Sequence, residues 1–180
     1  ILLIVALGVA FFSGIRAASP DMRMTVDRYF DEHNAADVRM LSTLGFDEGD
    51  LDALWAVEGM KAVQPGYTVD GFLQRGDNPL LVSYQSLDWR ALETDPDGVV
   101  NRPMVVEGRL PQAENECLRD ENLMGDFAIG DKVYVDTKDD PDITDSLSRT
   151  EYTTVGSVRS MDYISFDRGS SAKGSGKLSG

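Results

Sequence analysis

The chain begins with an uninterrupted apolar segment, residues 1–12 (ILLIVALGVAFF), which restricts the possible folds more than any other feature. A membrane-spanning helix needs about 20 apolar residues and the core of a signal peptide about 7–15, so the length permits the end of either. A buried core helix is a third possibility, but a helix that is apolar on every side suits lipid better than a position with one buried face. We therefore predict that residues 1–18 are the C-terminal part of a transmembrane helix.

The two ends of the chain indicate a fragment of a longer protein. The first residue is Ile1 rather than Met, so we expect the membrane helix to be truncated. Residues 169–180 have the composition of a flexible Gly/Ser-rich segment and offer no apolar face for packing. We expect further membrane helices to lie outside this sequence.

Charge and size limit the kind of protein. With 180 residues, 42% of them apolar, the chain is long enough for one ordinary domain with a core. Its 31 acidic and 17 basic residues give a net charge of -14, which would repel a phosphate backbone, so nucleic acid is excluded as a partner. The same charge disfavours anionic lipid headgroups, and any membrane attachment must come from the apolar segment.

A second helical segment follows the apolar one. Ser19 is a suitable N-cap, Pro20 suits the first helical position and Asp21 suits the positive end of a helix. The spacing of three and four residues places an apolar face on this helix, which we expect to dock on the domain. That face consists of Met22, Val26, Tyr29, Phe30 and His33.

The remaining pattern predicts an α+β fold over residues 19–168. Strands near residues 36–42, 60–69 and 153–158 are expected to share one sheet, with a helix over residues 47–57 packed on it. Contact between this helix and the sheet is the test of the arrangement. The helix would present Leu51, Leu54 and Trp55 to the sheet, and further strands are expected at residues 80–87, 104–106 and 132–135.

A search for catalytic residues finds no set that could act together. The only histidine, His33, lies on an apolar helix face and is interpreted as a core or interface residue, since a general base needs a cleft and a partner. The only cysteine, Cys117, excludes an internal disulfide and is interpreted as structural because no positive charge adjoins it. No phosphate-binding loop is present. We predict a protein that is not an enzyme.

Metal binding is considered for the most acidic stretch, residues 136–145 (DTKDDPDITD). Calcium prefers several carboxylates and carbonyls, but the EF-hand spacing is absent and Lys138 interrupts the acids. A solvated hairpin tip is the favoured interpretation. No catalytic, cofactor-binding or metal-binding residue is therefore predicted, and no cofactor.

Several stretches in order resemble the FtsX-like and MacB-like permeases of ABC transporters, in the domain between their first two membrane helices. Residues 6–20 resemble the exit of the first spanning helix, and residues 106–116 (VEGRLPQAENE) resemble a "G-R-x-P … N-E" segment. Three further stretches resemble a "V-x-G-V-x-x-V" segment, an "x-G-D-x-V" turn and an "F-x-V-V-G-I-V" strand; they are residues 57–63, 129–133 and 152–158.

The resemblance implies a MacB-like periplasmic core (porter-type) domain on the extracytoplasmic side of a bacterial cell membrane. It implies a permease subunit whose partners are a cytoplasmic ABC ATPase, a second permease copy or paralogue, and membrane lipid. The helix over residues 20–33 would then act as a stiff lever between membrane and domain. In the motifs, Gly108, Gly130 and Gly156 are expected where strands turn or another backbone comes close.

Two other interpretations stay open from the sequence. An exported adhesion or ligand-binding domain with a truncated signal peptide fits the apolar start. A secreted hydrolase with acidic catalytic residues is the third interpretation, because paired carboxylates occur by chance in so acidic a chain.

Overall fold

The computed structural model describes residues 2–123, 125–163, 169–174 and 176–179. The chain is a mixed α+β protein in which a long N-terminal helix precedes two β-sheets. In chain order the elements are α1 (Leu2–Glu32), α2 (Glu48–Trp55), β1 (Thr68–Leu73), β2 (Leu80–Gln85), α3 (Trp89–Thr94), β3 (Met104–Gly108), β4 (Glu116–Asp120), β5 (Lys132–Tyr134), a 3₁₀ turn (Pro141–Asp145) and β6 (Glu151–Arg159).

Helix α1 is continuous and exposed along almost its whole length. It is long and apolar enough to span a membrane, and none of its residues is buried. No separate helix starts at Ser19, because the membrane helix passes through Pro20 without ending and runs on into the outer segment. Helix propagation adds one hydrogen bond per residue, and here it outweighs the bond and the local geometry that a proline disrupts.

The expected docking of the outer part of α1 is also wrong for most of its apolar face. Met22, Val26 and Phe30 are all exposed. Only Tyr29 and His33, near the C-terminal end, are half-buried. The helical spacing was sufficient to predict an apolar face but could not specify what covers it.

Strand β6 forms the centre of the larger sheet. β4 pairs with it in parallel, while β3 and β5 pair with it in antiparallel orientation, β5 at its beginning and β3 at its end. Residues 154–158 of β6 are all buried. β6 therefore lies at the centre of its sheet, and it buries the polar residues Thr154 and Ser157 together with Val155 and Val158.

β1 and β2 form a separate antiparallel hairpin that joins the larger sheet through the core. An isolated bridge pairs Leu73 with Val135, and the amide of Asp136 donates to the carbonyl of Phe72 over 2.7 Å. Leu73 packs with Val82 and Val133 in one buried cluster. The two sheets therefore share a hydrophobic core.

The prediction that residues 36–42, 60–69 and 153–158 share a sheet is wrong. Residues 36–42 form no strand, although their alternation is that of a half-buried one, and only the end of the second range enters β1. β1 and β6 belong to different sheets. Alternation sets which side chains share a face but not which strand is the neighbour, and Pro65 and Gly66 delay the second strand.

Helix α2 forms as predicted but does not pack on a sheet. Asp47 is its N-cap, and a capping box joins Asp47 and Asp50 in both directions. Leu51 and Leu54 are only half-buried, and Trp55 is 52% exposed. The extensive contacts between described elements are all between strands. Local capping stabilises this helix without the burial that we expected.

The end of the chain contacts the β1–β2 hairpin. Leu178 is buried, the amide of Ser179 donates to the carbonyl of Leu81 over 2.8 Å, and Lys173 forms an ion pair with Asp140. We expected no apolar contact from residues 169–180. Leu178 nevertheless makes an apolar contact, because burying even one apolar side chain helps to hold a polar segment on the hairpin.

Candidate functional site

The candidate site is the junction between α1 and the domain, where the helix ends in a Schellman motif. Asn34 has a left-handed backbone, with φ of 50°. The amide of Ala35 donates to the carbonyl of Phe30 over 3.0 Å, and the amide of Asn34 donates to that of Asp31 over 3.2 Å. Asparagine is one of the few residues that adopt this conformation readily. The left-handed backbone of Asn34 therefore ends the helix at this point.

The loop over residues 97–102 binds this helix end. The amides of Asn101 and Arg102 donate to the carbonyls of Asn34 and His33, each over 2.9 Å. The guanidinium of Arg102 also donates to the carbonyl of Glu32. The last carbonyls of a helix have no partner within the helix, so a second segment that supplies donors fixes the helix end in place.

Side chains add a reciprocal set of bonds at the junction. Nδ2 of Asn34 donates to the carbonyl of Val99 over 3.0 Å, and the amide of Ala36 donates to Oδ1 of Asn101 over 2.8 Å. Nδ2 of Asn101 in turn donates to Oδ1 of Asp162 over 3.0 Å, shortly after β6. The helix end is thus bonded through a loop to the segment that follows the central strand.

Charge supports the same contact. Arg102 forms an ion pair with Asp97 over 3.2 Å, and a guanidinium beside exposed helix carbonyls is also favoured by the helix dipole. This role was not predicted, because the turn residues Asp95 to Gly98 indicate a loop without indicating what the loop binds. Asn101 also has a left-handed backbone, with φ of 53°, and asparagine adopts this conformation more readily than most residues.

His33, the one histidine, is placed at this junction. Its Nδ1 lies 2.9 Å from the carbonyl of Tyr29, and its ring lies 4.4 Å from the ring of Tyr29. The side chain is half-buried, and both of these contacts are with Tyr29 of the same helix. It is the backbone carbonyl of His33 that joins the domain, by accepting the amide of Arg102.

Cys117 is half-buried and packs against the hydrophobic core. Burial raises the pKa of its thiol above the ordinary value, and the Thr154 hydroxyl, 3.9 Å away, opposes this only in part. A thiol held protonated in this way is a weak nucleophile. The structure therefore agrees with the interpretation of Cys117 as a structural residue.

The acidic stretch over residues 136–145 lies in the loop of the hairpin that β5 and β6 form, as predicted, but it is not solvated throughout. It contains the 3₁₀ turn, and Ile143 in that turn is 1% exposed against Gly71. The carboxylate of Asp136 accepts the amide of Lys138 over 2.8 Å. Among the described residues, no group of three His, Cys, Asp or Glu side chains is arranged to hold a metal ion.

The "G-R-x-P … N-E" segment closes on itself between β3 and β4. Arg109 holds Glu116 with two bonds, of 2.7 Å and 2.5 Å, and the amide of Gln112 donates to the same carboxylate over 2.7 Å. The Arg109 guanidinium and these donors lower the pKa of Glu116 to about 2. This motif is a structural brace within the sheet.

Comparisons of the chain with models of protein families, with curated proteins and with solved structures find no match.

Proposed function

We propose that this chain is part of a bacterial ABC-transporter permease of the FtsX-like or MacB-like kind. In this proposal α1 spans the cell membrane and the α+β part is a MacB-like periplasmic core (porter-type) domain on the extracytoplasmic side. It works with a cytoplasmic ABC ATPase and a second permease copy or paralogue, and it has no catalytic activity of its own. The ordered motifs over residues 6–158 support this assignment.

The observation that carries the proposal is the fixed end of a long continuous helix. The 31 residues of α1 correspond to about 46 Å, whereas the hydrocarbon core of a bilayer is about 30 Å thick. A helix of this length extends beyond the membrane, and its far end is bonded to Asn101 and Arg102. Movement of the spanning part is then transmitted to the domain rather than absorbed.

The role of the chain's own residues is therefore mechanical. Tilt or displacement of α1 moves the carbonyls of residues 32–34, and the loop over residues 97–102 moves with them. The hydrogen bond from Asn101 to Asp162 carries the movement to the segment that follows β6. ATP hydrolysis itself belongs to the partner subunit.

An insertion experiment tests this function. A flexible seven-residue Gly/Ser insert between Ser19 and Pro20, in the intact permease with its ATPase, should separate ATP hydrolysis from transport or partner activation. The matched control is a seven-residue insert of helix-forming residues at the same place, which adds two turns and keeps the helix nearly in phase. We expect coupling to be lost with the flexible insert and largely kept with the helical one.

Coupling that stays unchanged with both inserts would show that α1 only tethers the domain.

The side of the membrane on which the domain lies has a separate test. It uses Tyr67→Cys, since Tyr67 is 84% exposed and the native Cys117 is only partly accessible. A membrane-impermeant maleimide should label this variant in intact cells. Labelling that requires permeabilised cells would place the domain in the cytoplasm and refute the proposal.

A further inference from the structure

Helix α2 carries an apolar strip whose two aromatic side chains are exposed in the described structure. Trp55 is 52% exposed and Phe46 is 48% exposed, while Leu51 and Leu54 are half-buried. Residues at spacings of three and four lie on one side of a helix, and a residue before the N-cap packs beside the fourth helical residue. Phe46, Leu51, Leu54 and Trp55 therefore lie together, and we call these four side chains the α2 strip.

Acidic side chains border the α2 strip on both sides. With 100° between successive helical residues, Glu48 and Asp52 flank one side and Asp50 flanks the other. All three are exposed, and α2 contains no basic residue. An exposed aromatic group with an acidic border is a surface that selects its partner by charge as well as by apolar contact.

We propose that the α2 strip is a docking surface for a cationic amphipathic peptide segment of a partner. The partner's apolar side chains would cover Trp55 and Phe46, and its Lys or Arg side chains would face Glu48, Asp50 and Asp52. A partner of this chemistry uses both features of the surface at once. The proposal concerns α2 alone and holds whether or not the chain is a permease segment.

Charge argues against the two other occupants of such a strip. Helices that lie on membranes carry Lys and Arg on their polar face, and α2 has none, so anionic lipid headgroups are repelled. A two-fold contact between two copies would place the same acids opposite one another, which is unfavourable. A cationic segment meets neither obstacle.

The test uses the full chain in nanodiscs of phosphatidylcholine, a zwitterionic lipid without net charge. The probe is a fluorescein-labelled peptide of Leu and Lys in amphipathic helical order, compared with a scrambled peptide and with a Leu and Glu peptide of the same order. Fluorescence anisotropy measures binding, and empty nanodiscs measure the lipid contribution. We expect the Leu and Lys peptide to bind the protein more tightly than it binds empty nanodiscs, and to bind more tightly than either control peptide.

Matched variants locate the binding. Trp55→Ala should weaken binding by about tenfold or more, as for a central interface aromatic, whereas Tyr67→Ala, another exposed aromatic, should leave it unchanged. Glu48→Gln with Asp52→Asn should weaken binding and reduce its sensitivity to salt, since exposed charges are screened. Asp77→Asn, an exposed acid in a distant loop, is the control.

A second measurement does not depend on disruptive variants. Trp89→Phe leaves Trp55 as the only tryptophan, and its emission should shift to the blue when the Leu and Lys peptide binds. No shift, or equal binding to empty nanodiscs, would overturn the proposal. A blue shift of the Trp55 emission without peptide would also overturn the proposal. A shift that grows with protein concentration would indicate that a second copy covers the α2 strip. A shift that follows the addition of anionic lipid would indicate a membrane contact.

Discussion

At the scale of single residues, the glycines of the motifs fill structural positions. A Cβ on Gly108 would lie 2.3 Å from the carbonyl oxygen of Val155, and a Cβ on Gly156 would lie 2.5 Å from that of Arg109. Gly130 has a positive φ of 98° in the turn before β5. The prediction that these residues lie at turns or close backbone approaches is confirmed, and substitution of Gly108 or Gly156 by alanine would push β3 and β6 apart.

Cys117 should react slowly with iodoacetamide while the protein is folded. Burial keeps its thiol protonated and shielded, so we expect alkylation more than about tenfold slower than after unfolding in concentrated urea. Mass spectrometry of timed samples measures the rate. The control is Cys117→Ser with Tyr67→Cys, whose exposed thiol should react rapidly; equal rates for both folded proteins would contradict the burial of Cys117.

Glu116 should contribute to stability in a pH-dependent way. Its pKa in the folded protein is lowered to about 2, so the contribution is fully present above the pKa of an unfolded glutamate, about 4.3. It is lost as the pH falls from there through about 2. Glu116→Gln should therefore lower the urea midpoint at pH near 7 and differ less from the wild type as the pH falls.

The matched control for Glu116 is Glu107→Gln, since Glu107 is an exposed glutamate in β3 of the same sheet. Its urea midpoint should stay close to that of the wild type at each pH. A wild-type advantage over Glu116→Gln that grew as the solution became acidic would contradict the ion pair with Arg109.

At the scale of elements, local signals predicted more than long-range ones. The Asp47 cap and the patterns of β2, β5 and β6 all depend on near neighbours in sequence, and the structure confirms these elements. β4, which is half-buried at every position, and the short α3 were not predicted. The burial of β4 does not alternate along the strand, because it is set by the pairing with β6. β6 lies too far along the chain for a local sequence pattern to indicate this pairing.

The capping box should control the helicity of α2 without affecting the rest of the fold. Asp47→Ala removes the cap, and we expect a local loss of about 1 kcal/mol. Because α2 does not pack extensively on the strands, the unfolding temperature of the domain should stay nearly the same. Hydrogen exchange of residues 48–55 measures the local effect, with Asp52→Ala as a control that leaves the cap intact. A large fall in the unfolding temperature would indicate packing of α2 on the core.

At the scale of the whole molecule, composition and periodicity predicted the α+β class and the apolar first helix, and the structure has both. The junction site did not follow. It depends on bonds between residues 32–36 and 97–102, and polar loop residues carry no periodic signal for such a pairing. The separation into two sheets was not predicted either, because β1 and β2 pair only with each other and the alternation in a strand does not specify its neighbour.

The end of the chain should stabilise the whole domain through one apolar side chain. Leu178 is 8% exposed on the hairpin that also holds the shared core, so Leu178→Ala should lower the free energy of unfolding by about 2 kcal/mol, the low end for a buried leucine. The low end applies because Leu178 lies outside the helices and strands, where the backbone can shift to close part of the cavity. Leu41→Ala removes the same atoms from a side chain that is 80% exposed and should change stability by less than about 0.5 kcal/mol. Urea unfolding in detergent, followed by tryptophan emission, gives both values; equal small losses would show that residues 169–179 do not fasten to the hairpin.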